Sequence, residues 1–180
     1  MNPNLKVLET KRLILRKFEL GDAPFIVGLL NSPGFLQFIG DRKVRTLADA
    51  ETYLNNGILK NYNFQNFGLW QVVLKTNNLP IGMCGLIKRP GLEHVDLGFA
   101  FMPAHIRKGY AYEAAHATLH YAKTTLSITN ILAITDLNNV ASINLLNKLG
   151  FSFEKTIQLP NSEETLNLFA WIDGEEKARL

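Results

Sequence analysis

The sequence has few of the features that mark secreted, membrane-spanning or nucleic-acid-binding chains. It holds one cysteine, Cys84, in 180 residues, so no internal disulfide can form and a reducing compartment is indicated. No uncharged apolar run approaches membrane-spanning length, and the start Met1-Asn2-Pro3-Asn4 lacks the form of a signal peptide. The net charge is only +3, and the basic residues form no uninterrupted run. We therefore expect a cytoplasmic protein with no membrane or nucleic-acid partner.

The composition is that of an ordinary globular chain. Apolar residues make up 47% of the sequence and charged residues 19%, and the length suits one domain with a real core. No internal repeat or low-complexity segment is visible. We expect a single domain over residues 1–180, with a charged, frayed tail at 174–180.

The hydrophobic pattern predicts a mixed α/β (α+β) domain with a central, mostly antiparallel sheet of about seven strands and about four helices. The turn signals that join neighbouring strands as hairpins are Asn77-Asn78, Arg89-Pro90-Gly91 and, as the last turn, Pro160-Asn161-Ser162. The predicted strands are Arg12–Arg16, Leu69–Lys75, Pro80–Lys88, Val95–Phe101, Ile131–Thr135, Phe151–Ile157 and Thr165–Asp173. The predicted helices are Ala23–Leu30, a second one that Thr46 caps and that runs to about Lys60, one that begins at Gly109, and Val140–Leu149.

The stretch from Val95 to Ala114 is the most informative part of the chain. It reads as a buried strand, an exit marked by Pro103, and a loop that opens a helix at Gly109. Arg107 and Lys108 bring two cations to a helix start, where unpaired N–H groups and the macrodipole favour an anion such as a diphosphate. The competing interpretation is that these are turn and solubility residues.

Three motifs resemble those of a known family. The segment from Gly98 to Ala111, followed by Glu113-Ala114, resembles the acyl-CoA signature of the GNAT N-acyltransferases, and more narrowly the Rim-type (RimJ/RimL-like) ribosomal-protein N-terminal acetyltransferases. Asn139-x-x-Ser142 at a helix start, with Leu-Gly-Phe after that helix, is similar to the same branch, and so is the opening LETKRLILR. The loop departs from the family at Ile106, and at Arg107, where glycine is common.

The resemblance implies a fold and an activity. The fold is a single GNAT-like domain whose sheet splays in a V between its fourth and fifth strands. The activity is acetyl transfer from acetyl-CoA to a primary amine, either a protein N-terminus or a small-molecule amine, by direct attack in a ternary complex. A homodimer remains open. The alternatives are a non-catalytic CoA or acyl-CoA binding module and a nucleotide- or nucleic-acid-binding α/β domain.

The same resemblance supplies the residues expected to bind acetyl-CoA. Backbone near the end of the fourth strand would bond the pantetheine arm from one side, and the start of the last helix from the other. The loop would hold the diphosphate through main-chain amides. The expected cofactor-binding residues are Phe101, Arg107, Lys108, Gly109, Tyr110, Ala111, Asn139 and Ser142. For Asn139 and Ser142, the structural alternative is that they belong to a helix N-terminus and satisfy the hydrogen bonds of its own backbone amides.

Two residues are expected to carry the chemistry. Many enzymes of the family use a tyrosine on the last helix as the acid, but Leu146 stands there, so Ser142 is expected to hydrogen-bond the leaving thiolate. Asp96 stands where the branch usually has Glu, and relay through water is expected because its side chain is shorter. Glu93 and His94 are alternative bases.

Two further patterns favour structural interpretations. Glu113, His116 and His120 share a helix face, but no fourth ligand supports a metal, and a solvated face is expected. The family lines its acceptor side with the first two helices and their loop, where this chain is rich in aromatics. Most of these are expected to be core. They are Phe35, Phe38, Tyr53, Tyr62, Phe64 and Phe67.

Overall fold

A single sheet of eight strands runs through the computed structural model, which describes residues 5–65, 67–160 and 162–172. The strands are β1 (Lys6–Glu9), β2 (Leu13–Arg16), β3 (Leu69–Leu74), β4 (Pro80–Ile87), β5 (Val95–Phe101), β6 (Asn130–Asp136), β7 (Ser152–Gln158) and β8 (Thr165–Ile172). Their order in the sheet is β1-β2-β3-β4-β5-β6-β8-β7. Every neighbouring pair is antiparallel except β5 and β6, which are parallel.

Helices cover both faces of the sheet. They are α1 (Ala23–Leu30), α2 (Pro33–Phe38), α3 (Leu47–Tyr53), α4 (Lys60–Gln65), α5 (Tyr110–Leu126) and α6 (Val140–Lys148). The π-helical stretch Leu54–Leu59 joins α3 to α4, so the described residues form five continuous helices. The mixed α/β class and the mostly antiparallel sheet are confirmed.

The structure adds two elements to the expected set. β1 was not predicted because it is short and its residues are exposed or only half-buried, which leaves no clear alternation. α2 was not predicted because Pro33 and Gly34 follow α1 and look like a stop signal, whereas Pro33 occupies the first turn of a new helix. Asn161 in the last turn, Asp173 of the last strand and the tail 174–180 lie outside the described residues.

The two faces of the sheet hold separate cores. On one face, α5 and α6 pack through residues such as Ala115 and Leu146. On the other, α1 and α3 pack through residues such as Ile26 and Leu54. Four of the aromatics in the first two helical segments are at least partly buried in these cores, which confirms the core interpretation for them; the side chain of Phe64 lies outside the described residues. The four are Phe35, Tyr53, Tyr62 and Phe67.

Strand β5 presents alternate side chains to the two cores. Leu97 packs on the α5 side and Ala100 on the α1 side. Since side chains alternate along a strand, Asp96 lies on the α1 side with Ala100. The two faces of β5 therefore lead to different helices.

The sheet opens between β5 and β6. The two strands pair only at Val95↔Ile131 and Asp96↔Leu132, although β5 continues to Phe101. Beyond those pairs, β6 stays paired to β8 as far as Asp136, and β5 stays paired to β4 as far as Phe101. The gap is the expected V-shaped splay. None of the helices in the described part of the chain is long and apolar enough to cross a membrane.

Candidate functional site

The loop between β5 and α5 is built on a tight turn. Ile106 has φ −72° and ψ 161°, and Arg107 follows with φ 59°. An extended residue followed by one with a positive φ is the pattern of the central residues of a type II turn, whose second central position requires a positive φ and usually holds glycine. The turn therefore explains why glycine is common at the position of Arg107 in the resembling family.

Gly109 ends the loop and precedes α5. Its φ of 78° is left-handed, which glycine adopts at no steric cost. α5 then runs for 17 residues from Tyr110. Among the hydrogen bonds of the described residues, none is donated by the backbone N–H groups of Gly109, Tyr110, Ala111 or Tyr112. These amides stand at the positive end of a long helix and are free to bind an anion.

The gap beside this loop exposes the edge of β5. Met102 N–H donates to Ile81 O at 2.9 Å, and the antiparallel alternation then turns the N–H and C=O groups of Phe99 and Phe101 away from β4. No β6 residue pairs with these two residues. Main-chain groups in such a position require a ligand or water.

Two buried side-chain atoms on the elements that border the gap have no hydrogen-bond partner among the described residues. They are Oγ1 of Thr135, on β6 beyond its last pairing with β5, and Nδ1 of His105, in the loop. A buried polar atom without a partner costs stability unless something binds it. The free amides, the open edge of β5 and these two atoms together fit a ligand with a diphosphate and an amide-containing arm, as acetyl-CoA has.

The start of α6 borders the gap from the β6 side. Asn139 Oδ1 accepts a hydrogen bond from Ser142 N–H at 3.1 Å. The Asn139 side chain therefore caps the helix, as the structural alternative predicted. No hydrogen bond of the Ser142 hydroxyl or of the Asn139 side-chain NH₂ is found among the described residues. Both groups keep a free donor. Leu146 is fully buried in the core on the α5 side.

Asp96 lies at the closed end of the gap, in the last residue pair between β5 and β6. Its side chain is 1% exposed, and its two oxygens accept from Nε and Nη2 of Arg89 at 3.3 and 3.1 Å. Burial raises the pKa of Asp96, and the charge and hydrogen bonds of Arg89 oppose that rise. Arg89 follows the end of β4, two residues beyond Ile87, which is the register partner of Asp96. The sequence predicted Arg89 only as part of the hairpin turn, and that turn was the signal that it lies near Asp96.

The two alternative bases line a cavity. Glu93 and His94 border a space of about 780 Å³ whose floor includes Leu132 and Leu168, on the β6–β8–β7 half of the sheet. Asp96 is not among its lining residues. The structure therefore separates the buried carboxylate from the two more accessible candidates.

Other titratable groups have structural roles. Glu113 accepts hydrogen bonds from Thr10 and Arg12, so it does not join His116 and His120 in a metal site. No group of three or more His, Cys, Asp or Glu side chains in the described part of the chain could hold a metal ion. Burial raises the pKa of Cys84 to about 12, which makes its thiol unreactive.

Comparison with known proteins agrees with this geometry. Residues 12–152 match the model of the acetyltransferase (GNAT) domain. The uncharacterised N-acetyltransferase YnaD of Bacillus subtilis is 29% identical over 147 residues, which cover 82% of this chain and 83% of YnaD.

Solved structures share the fold over nearly the whole chain. A GNAT-family acetyltransferase from Bacillus anthracis superimposes with a TM-score of 0.74 at 25% identity, covering 92% of this chain and 97% of that protein. RimL, a ribosomal L7/L12 α-N-protein acetyltransferase solved in complex with coenzyme A, gives a TM-score of 0.78 at 16% identity, covering 93% of this chain and 97% of RimL. The chain belongs to the GNAT family of acetyl-CoA-dependent N-acetyltransferases.

Proposed function

We propose that this chain acetylates a primary amine, the α-amino group of a protein N-terminus or the amine of a small molecule, by direct attack on acetyl-CoA in a ternary complex. The observation that carries the proposal is the juxtaposition of an open strand gap with a helix start whose amides are free. A groove between strands suits a pantetheine arm, and the helix start suits its diphosphate.

Each part of the site has a residue set suited to one part of acetyl-CoA. The amides of Gly109, Tyr110 and Ala111 face the diphosphate, with the cations of Arg107 and Lys108 nearby. The main chain of Phe101 and the free NH₂ of Asn139 bond the arm from opposite sides of the gap. Because these contacts use backbone groups, the departures at Ile106 and Arg107 leave them intact.

The acceptor amine reaches the thioester from the other face of the sheet. α5 and the loop lie on one side, whereas Asp96 projects to the side of α1 and α3. The gap between β5 and β6 connects the two faces of the sheet. Two substrates can therefore meet there without competing for space, which supports a ternary complex and catalysis largely by juxtaposition.

Two side chains assist proton movement. Acetyl-CoA supplies a thioester carbonyl and a thiolate leaving group. Ser142 donates a hydrogen bond to the sulfur position from the first turn of α6. Asp96 accepts the proton of the amine through water, since a side chain that is 1% exposed cannot touch the amine directly. Glu93 and His94, which line the separate cavity, are the alternative bases.

We assign the chain to the Rim-type branch on its three motifs. The likeness to RimL supports the fold, and the acceptor follows from the branch only as a class: an exposed amine on a peptide or a small molecule. The cytoplasmic location stays a prediction from the sequence, and the homodimer stays open.

A non-catalytic CoA-binding module is the second candidate, and Leu146 favours it. This residue stands where many family members have the acid, and it is fully buried with no polar group to offer. Under this hypothesis the gap and the free amides remain, but Asp96 and Ser142 have no chemical role.

An amine panel separates the two candidates. Purified protein would be mixed with acetyl-CoA and, separately, an N-terminal peptide, a polyamine, an aminoglycoside and an amino acid, and free thiol would be measured. We expect thiol release above background with at least one amine, in step with its acetylation by mass spectrometry. Tight CoA binding without turnover across the panel would instead support the module.

A further inference from the structure

Arg12 joins the start of the chain to the loop before α5. Its Nη1 donates to Lys108 O at 3.1 Å, and its Nε donates to Glu113 Oε2 at 2.5 Å. Its guanidinium also lies over the Tyr110 ring, 4.5 Å from the ring centroid. One side chain at the start of β2 therefore contacts the loop and the first turn of α5.

Glu113 completes this link. Its Oε1 accepts from Arg12 N–H at 2.8 Å and from Thr10 Oγ1 at 2.5 Å. Burial alone raises the pKa of Glu113, but the hydrogen bonds from Thr10 and Arg12 outweigh burial and the net shift is downward. The carboxylate is therefore ionised at neutral pH and pairs with Arg12 across about a hundred residues of sequence.

The loop has little else to hold it. The side chains of Ile106, Arg107 and Lys108 are exposed, and both Arg107 and Gly109 have positive φ. Among the described residues, the hydrogen bond from Arg12 to Lys108 O is the one that ties residues 106–109 to any part of the chain other than α5 and the loop itself. A turn with so few contacts samples other conformations unless something restrains it.

We propose that Arg12 is a positioning residue for the diphosphate site: by bonding Lys108 O and Glu113 together, it holds the loop so that the free amides at the start of α5 converge on the ligand. The proposal rests on the acetyl-CoA site proposed above. Arg12 Nη2, which makes no hydrogen bond among the described residues, lies 3.3 Å from the place a Cβ of Gly109 would occupy. The guanidinium thus lies directly beside the free amides at the start of α5.

The test measures acetyl-CoA affinity by calorimetry for Arg12→Ala, Arg12→Lys and Glu113→Gln. We expect the Kd of Arg12→Ala to rise about tenfold or more, as for the loss of one charged hydrogen bond that orders a binding loop. Arg12→Lys keeps the charge but cannot make both bonds, so its Kd should lie in between. The double variant Arg12→Ala/Glu113→Gln should bind acetyl-CoA no more weakly than the weaker-binding of the two single variants, because the two residues act as one unit.

A positioning role is separated from a merely structural one by a split in the kinetic constants. The KM for acetyl-CoA should rise while the KM for the amine stays the same, at a temperature where thermal melting shows every variant to be folded. Lys6→Ala is the matched control, because it breaks an exposed ion pair on the neighbouring strand, Lys6–Glu9, without contacting the loop. Its Kd should match that of the wild type.

Failure of this inference differs from failure of the proposed function. If wild-type protein binds acetyl-CoA and folded Arg12→Ala binds it equally well, Arg12 positions nothing and only the inference is overturned. If the KM values for both substrates rise together, Arg12 is a general structural residue and the inference is again overturned. If wild-type protein binds no acetyl-CoA, the site itself is wrong.

Discussion

Asp96 and Ser142 border the same gap, yet they differ in burial and in the hydrogen bonds of their side chains. Asp96 is buried, and its ionised form is disfavoured in the folded chain despite the pairing with Arg89. Ser142 is half-buried, and its hydroxyl takes no part in capping α6, since the cap uses its backbone N–H. Substitution of Asp96 should therefore affect stability and turnover in opposite directions, and substitution of Ser142 should affect turnover alone.

Asp96→Asn should lower kcat by about 100-fold, the usual contribution of a general base, while stabilising the protein at neutral pH. The pKa of Asp96 is raised in the folded state, so its contribution to stability is full below the unfolded pKa and is lost as pH rises through the folded pKa. Urea unfolding should show the variant more stable than wild type at pH 7, with a difference that shrinks toward pH 4. An unchanged kcat would remove Asp96 from the chemistry and leave Glu93 or His94 as the base.

Ser142→Ala should reduce kcat by about tenfold, the effect of one hydrogen bond to a developing charge, with acetyl-CoA Kd changed less than threefold. The helix cap survives because Asn139 bonds the backbone N–H. Asn144→Ala, at an exposed position of the same helix, is the control and should leave both quantities unchanged. An equal loss in kcat and affinity would show that Ser142 has only a structural role.

At the scale of elements, the β5–α5 connection is the unit that makes an anion site. The strand ends at Phe101 and the helix begins at Tyr110, and two residues with positive φ, Arg107 and Gly109, turn the chain between them. The turn is unusual in holding an arginine where the backbone suits glycine. Arg107 therefore carries a steric cost that glycine would not carry.

Arg107→Gly should relieve the strain of a left-handed arginine, about 1 kcal/mol, so the free energy of unfolding should not fall. Since the side chain is exposed, we expect its charge to act over a distance and to be screened by salt. Acetyl-CoA Kd should rise about two- to threefold at low ionic strength and match wild type at about 1 M salt. A loss of affinity that persists at high salt would mean that Arg107 contacts phosphate directly.

On the scale of the whole molecule, the sheet separates the α5 side from the α1 side, and the gap between β5 and β6 is the opening between them. In the proposed function, acetyl-CoA would bind on the α5 side and the amine on the α1 side. The short pairing of β5 with β6 leaves a passage between the two sides. Antiparallel neighbours on both sides hold the two edges of the passage in place. The gap is thus a property of the topology rather than of any one side chain.

Much of this architecture could be predicted from local signals. The hairpin at Asn77-Asn78, the cap at Thr46 and the turn at Gly109 each depend on residues next to one another, and each was found. The capping role of Asn139 was foreseen as an alternative, and the structure shows it without testing the binding role.

The contacts that join distant parts of the chain could not be predicted. Arg12 and Glu113 lie about a hundred residues apart, and nothing in either local sequence names the other as a partner. Arg89 reaches Asp96 because the hairpin register pairs Asp96 with Ile87, two residues before Arg89. β1 and α2 were missed because both are short and packing, more than propensity, decides whether such elements form.

The most direct test of the account is calorimetric titration of the folded protein with acetyl-CoA and with free CoA, alongside Gly109→Pro. Proline removes a free amide and cannot adopt the φ of 78° found there, so that variant should bind neither compound. Gly109→Ala, which keeps the amide, should bind more weakly than wild type and serves if the proline variant does not fold. The account predicts one-to-one binding of both compounds to wild type. No heat from well-folded wild-type protein with either compound, or unchanged affinity in folded Gly109→Pro, would contradict it.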